Sequence, residues 1–430
     1  MMRTMTIRMA ASLLMTCAAA MGVAAASAED AAPSWPCFHG ADGSNVSAET
    51  GLMREWPEGG PELIQTISGI GEGFSGVAIY DGRIATLGTA DDPKGDGVKT
   101  TVFCFDMAGE PLWKTDLDYN WDANYPGSRS TPTFHGDKIY VETPFGLVVC
   151  MKASDGEVVW WCDLREKYGA TTHRWGRAES PIIDRNRVIV GPFTDQIGFV
   201  ALDAETGEEQ MRSEPVPGGV SYTTPLIVKC DSSRILLSMS DAGFVAVDPD
   251  TGKFLFDFPK KTMPGACATT PLFRDGQIFI SAGYGAGSTM LRVTEENGKP
   301  TMEKVGDFQA LDNQHGGIVL VGDRVFGSSH RTRGRWFAVD WNTGREIWSA
   351  DSVGQGSLTS ADERLYFVGE DERTRQVALI DATTDEYREC GRLTLPGGGQ
   401  SKIWAHPVIC DGKLYIRHGD FLYIYDVKAK

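Results

Sequence analysis

The sequence predicts an all-β chain closed into an eight-bladed β-propeller of four-stranded blades. Three observations carry this. A short apolar run, a turn and a second apolar or aromatic run recur eight times, anchored at positions 106, 152, 203, 248, 294, 340, 381 and 426. A hairpin-like pair of apolar runs precedes each anchor, so every unit offers strands A, B, C and D. The last copy stops after its third strand, while a matching fourth strand stands ahead of the first copy. Anchors 41 to 51 residues apart suit one four-stranded unit each.

The chain begins with a targeting pattern. Arg3 and Arg8 precede an apolar run from Met9 to Ala26, and Ala26-Ser27-Ala28 has the small-x-small form of a signal-peptidase site. Residues 1–28 are read as a signal peptide, 29–59 as a leading segment packed on the propeller, and 60–430 as the propeller. Cys17 follows Met15-Thr16, a poor context for lipidation, and no later run is long and apolar enough to span a bilayer. Export places the protein in the periplasm or cell envelope and permits disulfides. Eight cysteines remain after cleavage, without a CxxC or Cys-Cys pair, and most are read as small core residues. A net charge of −17 argues against nucleic acid or anionic lipid as partner.

Within the propeller, STPTFHGDKIYV, ESPIIDRNRVIV, TTPLIVKCDSSRILL and TTPLFRDGQIFI are the clearest A–B hairpins. Pro132, Pro181, Pro225, Pro271 and Pro407 open their first strands, where a missing N–H is tolerated. The C–D units include CFDMAGEPLW, ALDAETGEEQM, AVDPDTGKFLF and AVDWNTGREIW. In these, Asp106, Asp203, Asp248, Asp340 and Asp381 are placed to accept bonds from the turn backbone. Trp113, Trp160 and Trp348 are expected to wedge between blades. Gly60 to Thr66 resembles the D strand GEPLWKT and would complete the eighth blade, removing two open edges.

These segments resemble the pyrroloquinoline-quinone (PQQ)-type propeller repeat over residues 60–430. The resemblance implies either of two functional types: PQQ-dependent alcohol or sugar dehydrogenases, or non-enzymatic propellers such as BamB of the outer-membrane β-barrel assembly machinery. Trp35-Pro36-x-Phe38-x-Gly40 with Gly43 also resembles the entry segment of exported PQQ-like or BamB-like relatives.

The A–B and C–D turns are short and uniform; the B–C and D–A connections on the opposite face are long and variable, as functional loops are. Candidate ligand-binding residues on that face are Arg129, His173, Arg174, Trp175, Arg177 and Glu179. The later loops add Asn313, His315, His330, Arg331, Lys402, Trp404 and His406. Two readings stand side by side: a channel site in which arginines hold carboxylates and Trp175 or Trp404 stacks on a ring, or a polar seal. Exposed Trp121, Trp175 and Trp404 would also suit a polysaccharide.

The expected function is a monomeric, non-catalytic binding or scaffolding module without a cofactor, its long-loop face taking a protein partner or small ligand. The alternative is a PQQ- and calcium-dependent oxidoreductase. It would use Glu179 and Asn313 on calcium, Asp312 as catalytic base and Arg331 beside the quinone.

Overall fold

The computed structural model describes residues 33–91, 95, 97–260, 262, 265–296 and 298–430. The segment read as a signal peptide lies outside them. Eight antiparallel sheets follow one another along the chain as the blades of an eight-bladed propeller. Blade 2 is representative, with strands Thr133–His135, Lys138–Glu142, Leu147–Lys152 and Val158–Asp163 in A–B–C–D order. The A strands of neighbouring blades adjoin around the axis, and the D strands form the rim.

Closure follows the sequence reading. Leu63–Ile67 pairs antiparallel with Phe421–Asp426, Leu63 opposite Tyr425 and Ile67 opposite Leu422, and serves as the D strand of blade 8. Arg417 pins the same seam from inside, donating to the Ser75 and Gly71 carbonyls and the Thr86 hydroxyl. One edge of the ring therefore consumes the other.

The repeat residues hold blade to blade. Trp113 Nε1 donates to the Ala153 carbonyl at 3.0 Å, and Trp160 Nε1 to Ala204 at 2.9 Å, each reaching the turn of the following blade. The turn glycine makes room: at Gly207, with φ +72°, a Cβ would lie 2.7 Å from the Trp160 ring. Asp106 and Asp203 accept the backbone N–H groups of their own turns at 2.9 Å. Nearer the axis, the residue before each proline makes a second belt. Gly76 N donates to Thr131 Oγ1, Thr131 N to Ser180 Oγ and Ser180 N to Thr224 Oγ1, at 2.9–3.1 Å. Proline lacks an N–H and precedes five of the eight A strands, so at these positions the strand starts without a ladder donor. All eight described cysteines are free, and all but Cys37 are buried.

Two details depart from uniform four-stranded blades. Leu164–Tyr168 forms a one-turn helix in what reads as a plain loop, because Asp163 caps it through Arg165 N and Glu166 N and Gly169 ends it in the left-handed conformation. Blade 7 carries a fifth strand: Val46–Ser47 runs parallel to Gly356–Ala361, with Val46 opposite Ser360.

That fifth strand belongs to the leading segment, which enters the ring. Trp35 exchanges backbone bonds with Ile79 of blade 1 at 2.8 Å, and Phe134 N of blade 2 donates to Pro36 O at 2.8 Å. Gly43 packs on Leu226 of blade 4, and Asn45 Nδ2 donates to Leu358 O of blade 7 at 2.8 Å. Touching the inner strands of four blades, residues 35–47 cross the axis as a floor.

Candidate binding cavity on the propeller axis

Above that floor the long connections leave a cavity of about 220 Å³. Five sequence-predicted residues line it: Arg129, Trp175, His315, Trp404 and His406. Phe38 from the leading segment, with Phe74, Tyr125, Tyr222, Tyr284 and Gln314, completes most of the wall. The five aromatic ones escape the sequence reading because such a residue in a variable loop looks like ordinary packing until the ring closes, and Gln314 is one amide among many in the loops. The stacked motif Trp35-Pro36-x-Phe38 was their one available signal.

Trp404 anchors one side. Its ring lies 4.8 Å from Phe74, 4.7 Å from Tyr125 and 5.2 Å from His315, and its Nε1 donates to Glu370 Oε2 at 2.7 Å. His315 Nε2 stands 3.1 Å from the same oxygen. Burial pushes the Glu370 carboxyl up, but His315 and Trp404 outweigh it and hold the group below the ordinary carboxylate range. Opposite, Trp175 carries the Arg174 guanidinium 4.7 Å above its ring, and His173 Nδ1 bonds the Tyr222 hydroxyl.

Arg129 enters between these walls. Its guanidinium sits 5.2 Å over the Phe74 ring and donates to the carbonyls of Gly127 and Tyr125 at 3.1 and 2.7 Å. Burial lowers its pKa to about 10. Among the described residues no carboxylate is within ion-pairing distance of it.

The floor carries a histidine pair. His406 Nε2 is 3.0 Å from the His315 carbonyl and so donates its proton there, leaving Nδ1 to accept from His39 Nε2 at 2.9 Å. His406, with one nitrogen donating and the other accepting, is therefore neutral. Burial pushes both downward, His406 to about 4.

The other predicted residues are drawn into the scaffold or lie elsewhere. Arg177 is fully buried, bonded to Glu142, to Gly191 O and to Thr171 O, with Glu179 3.7 Å away. Burial, then repulsion by Glu142, raises the Glu179 carboxyl well above its ordinary value, and burial raises Glu142 against the pull of Arg177. The Asp312 carboxylate accepts the backbone N–H groups of Gly285, Gly287 and Arg331 at 2.8–3.1 Å. Asn313 is consumed by the Thr269 hydroxyl at 2.7 Å and the Ser328 carbonyl at 3.0 Å. His330 and Lys402 line a neighbouring open cleft, and Arg331 reaches Gln309.

This arrangement does not fit a calcium–quinone centre. Glu179 and Asn313 share no partner among the described residues: Glu179 Oε2 faces Arg177 and Gly191 N while its Oε1 is buried without a hydrogen bond, and Asn313 is held by Thr269 and Ser328. Among the described residues no three His, Cys, Asp or Glu side chains come together to hold a metal ion. Nor is any helix of the described residues long and apolar enough to cross a membrane.

Comparison with known proteins places this architecture. A family profile described as outer membrane protein assembly factor BamB matches residues 98–350. BamB of Shewanella oneidensis is 25 % identical over 270 residues, 58 % of this chain and 64 % of its own length. Quinohemoprotein alcohol dehydrogenase ADH IIB of Pseudomonas putida is 29 % identical over 238 residues, 48 % of this chain and 33 % of its own length. The chain thus spans less than two thirds of either relative. Among solved structures, quinohemoprotein alcohol dehydrogenase from Comamonas testosteroni superposes with a TM-score of 0.65 at 14 % identity, covering 93 % of this chain and 81 % of that one. BamB from Moraxella catarrhalis superposes with a TM-score of 0.59 at 15 % identity, covering 86 % and 98 %. With the profile covering more than half of its residues on an eight-bladed PQQ-type propeller, the chain belongs to the family of the outer membrane protein assembly factor BamB.

Proposed function

We propose that this protein is a non-catalytic binding module of the cell envelope, using the long-loop face of the propeller as its recognition surface. One observation carries the reading. The carboxylate and amide groups that metal-dependent quinone chemistry would need, Asp312, Asn313 and Glu179, are bonded to the protein's own loops. What the axis presents outward instead is an aromatic-walled cavity lined by Arg129, which no carboxylate of the described residues pairs. Such a surface suits binding without chemistry. The BamB relatives, whose name denotes an assembly factor, support a module that works through its contacts.

The competing reading is a PQQ-dependent dehydrogenase, favoured by the room beside Trp175 and by the alcohol dehydrogenase relative. Incubation of the purified protein with PQQ and Ca²⁺, followed by absorption spectra and dye-reduction assays with alcohols, separates the two. We expect no quinone uptake at micromolar cofactor and no turnover. Stoichiometric uptake with alcohol-dependent dye reduction overturns the binding-module reading.

A further inference from the structure

We propose that the axial cavity is a carboxylate-binding site that takes one flat-ringed organic acid, its ring among Trp404, Trp175 and Tyr222 and its carboxylate on Arg129. The proposal deepens the binding-module reading and rests on it for the absence of chemistry.

The unpaired guanidinium is the first argument. Arg129 has five N–H donors and spends two on carbonyl oxygens, 3.1 and 2.7 Å away. The chain carries 58 acidic residues against 41 basic ones, yet none of the described carboxylates pairs with this cation. A partly desolvated cation without a counter-ion is costly, and a bound anion would supply the missing charge. Burial lowers its pKa to about 10, the mark of a cation withdrawn from water.

The walls select the rest of the ligand. They are mostly rings, and the nearest carboxylate, Glu370, is engaged by Trp404 Nε1 and His315 behind the wall. Arg129 therefore sets the sign of the cavity and disfavours cations. At about 220 Å³ the space exceeds the ~150 Å³ cavity that accommodates benzene, so a single ring with a short acid arm fits. The floor is closed by Phe38 and the His39–His406 pair, so the ligand enters from the long-loop face. Two arrangements present this chemistry: a free aromatic acid, or the C-terminal phenylalanine or tryptophan of a polypeptide.

The test is isothermal titration of the whole protein with phenylacetate, indole-3-acetate and benzoate, alongside 2-phenylethanol as a neutral isostere. Ala-Ala-Phe and its C-terminal amide form a second arm. We expect at least one acid probe to bind, its neutral counterpart to bind about ten-fold or more weakly, and Arg129→Gln to lose a similar factor. Arg129→Lys, which keeps the charge, should recover part of the affinity. Stronger binding by the tripeptide than by the free acids identifies a polypeptide end; the reverse identifies a free acid. Binding of none of the probes, equal binding of the neutral isostere, or no effect of Arg129→Gln in a variant with unchanged thermal unfolding overturns the site. Alcohol-dependent dye reduction with PQQ would instead remove the non-catalytic reading, leaving the Arg129 comparison to stand or fall separately.

Discussion

The neutral histidine pair in the floor makes stability depend on pH in a way that can be worked out beforehand. The His315 carbonyl and the His39 N–H hold His406 neutral in the folded ring, and burial, then the neighbouring His406, disfavours a charge on His39. Unfolding returns both to water, where each titrates near 6.5. A folded pKa below the unfolded one means that the unfolded chain binds more protons between the two values. The stabilisation is therefore complete above about pH 6.5 and is lost as pH falls towards the folded value. With His406 lowered to about 4, acidification from pH 7.5 to 4.5 removes about 2.5 kcal/mol through this residue alone, and His39 adds in the same direction. The assay is urea unfolding of the parent and of His39→Gln/His406→Gln at half-unit pH steps. His173 and His418, also shifted downward, and the upward-shifted Glu142 and Glu179 titrate in both proteins and cancel in the difference. We expect the parent to lose at least ~2 kcal/mol more than the variant over this range. Parallel stability curves would refute the buried, neutral pair and with it the placement of residues 35–47 across the axis.

Other outcomes follow from the seams and the buried triad. Trp160→Ala should cost about 3–5 kcal/mol, whereas Trp161→Ala, at a side chain 61 % exposed, should stay within about 0.5 kcal/mol in the same denaturation assay. Gly207→Ala should destabilise by roughly 2 kcal/mol, since the left-handed backbone and the Trp160 ring both resist a Cβ; thermal melts would show it. Arg177→Met should cost about 3–5 kcal/mol by leaving Glu142 and Glu179 together without their cation. Glu179→Gln keeps the shape of the side chain and removes its repulsion with Glu142, and should change stability by less than about 1 kcal/mol at pH 7.

The sequence by itself determined the ring. Turn glycines, the Asp that caps most turns and the proline that opens five of the A strands act within a few residues of themselves, so their period is legible without contacts. The likeness of Gly60–Thr66 to a D strand even revealed how the ends meet, since an unpaired edge demands a partner. The face that carries the cavity was legible for a related reason: long connections can lie only where the short turns do not.

What the side chains on that face do was decided by tertiary structure alone. Arg129 and Arg177 are both arginines of D–A loops, yet one meets two buried carboxylates and the other meets only rings and carbonyl oxygens. Asp312 and Asn313 look like catalytic or ligating groups until the fold turns backbone N–H groups onto one and Thr269 and Ser328 onto the other. The leading segment reads as something packed against the propeller, but only closure of the ring brings Ile79, Phe134, Leu226 and Leu358 within its reach at once. Local order is written in neighbours along the chain, whereas charge state and cavity shape depend on groups hundreds of residues apart.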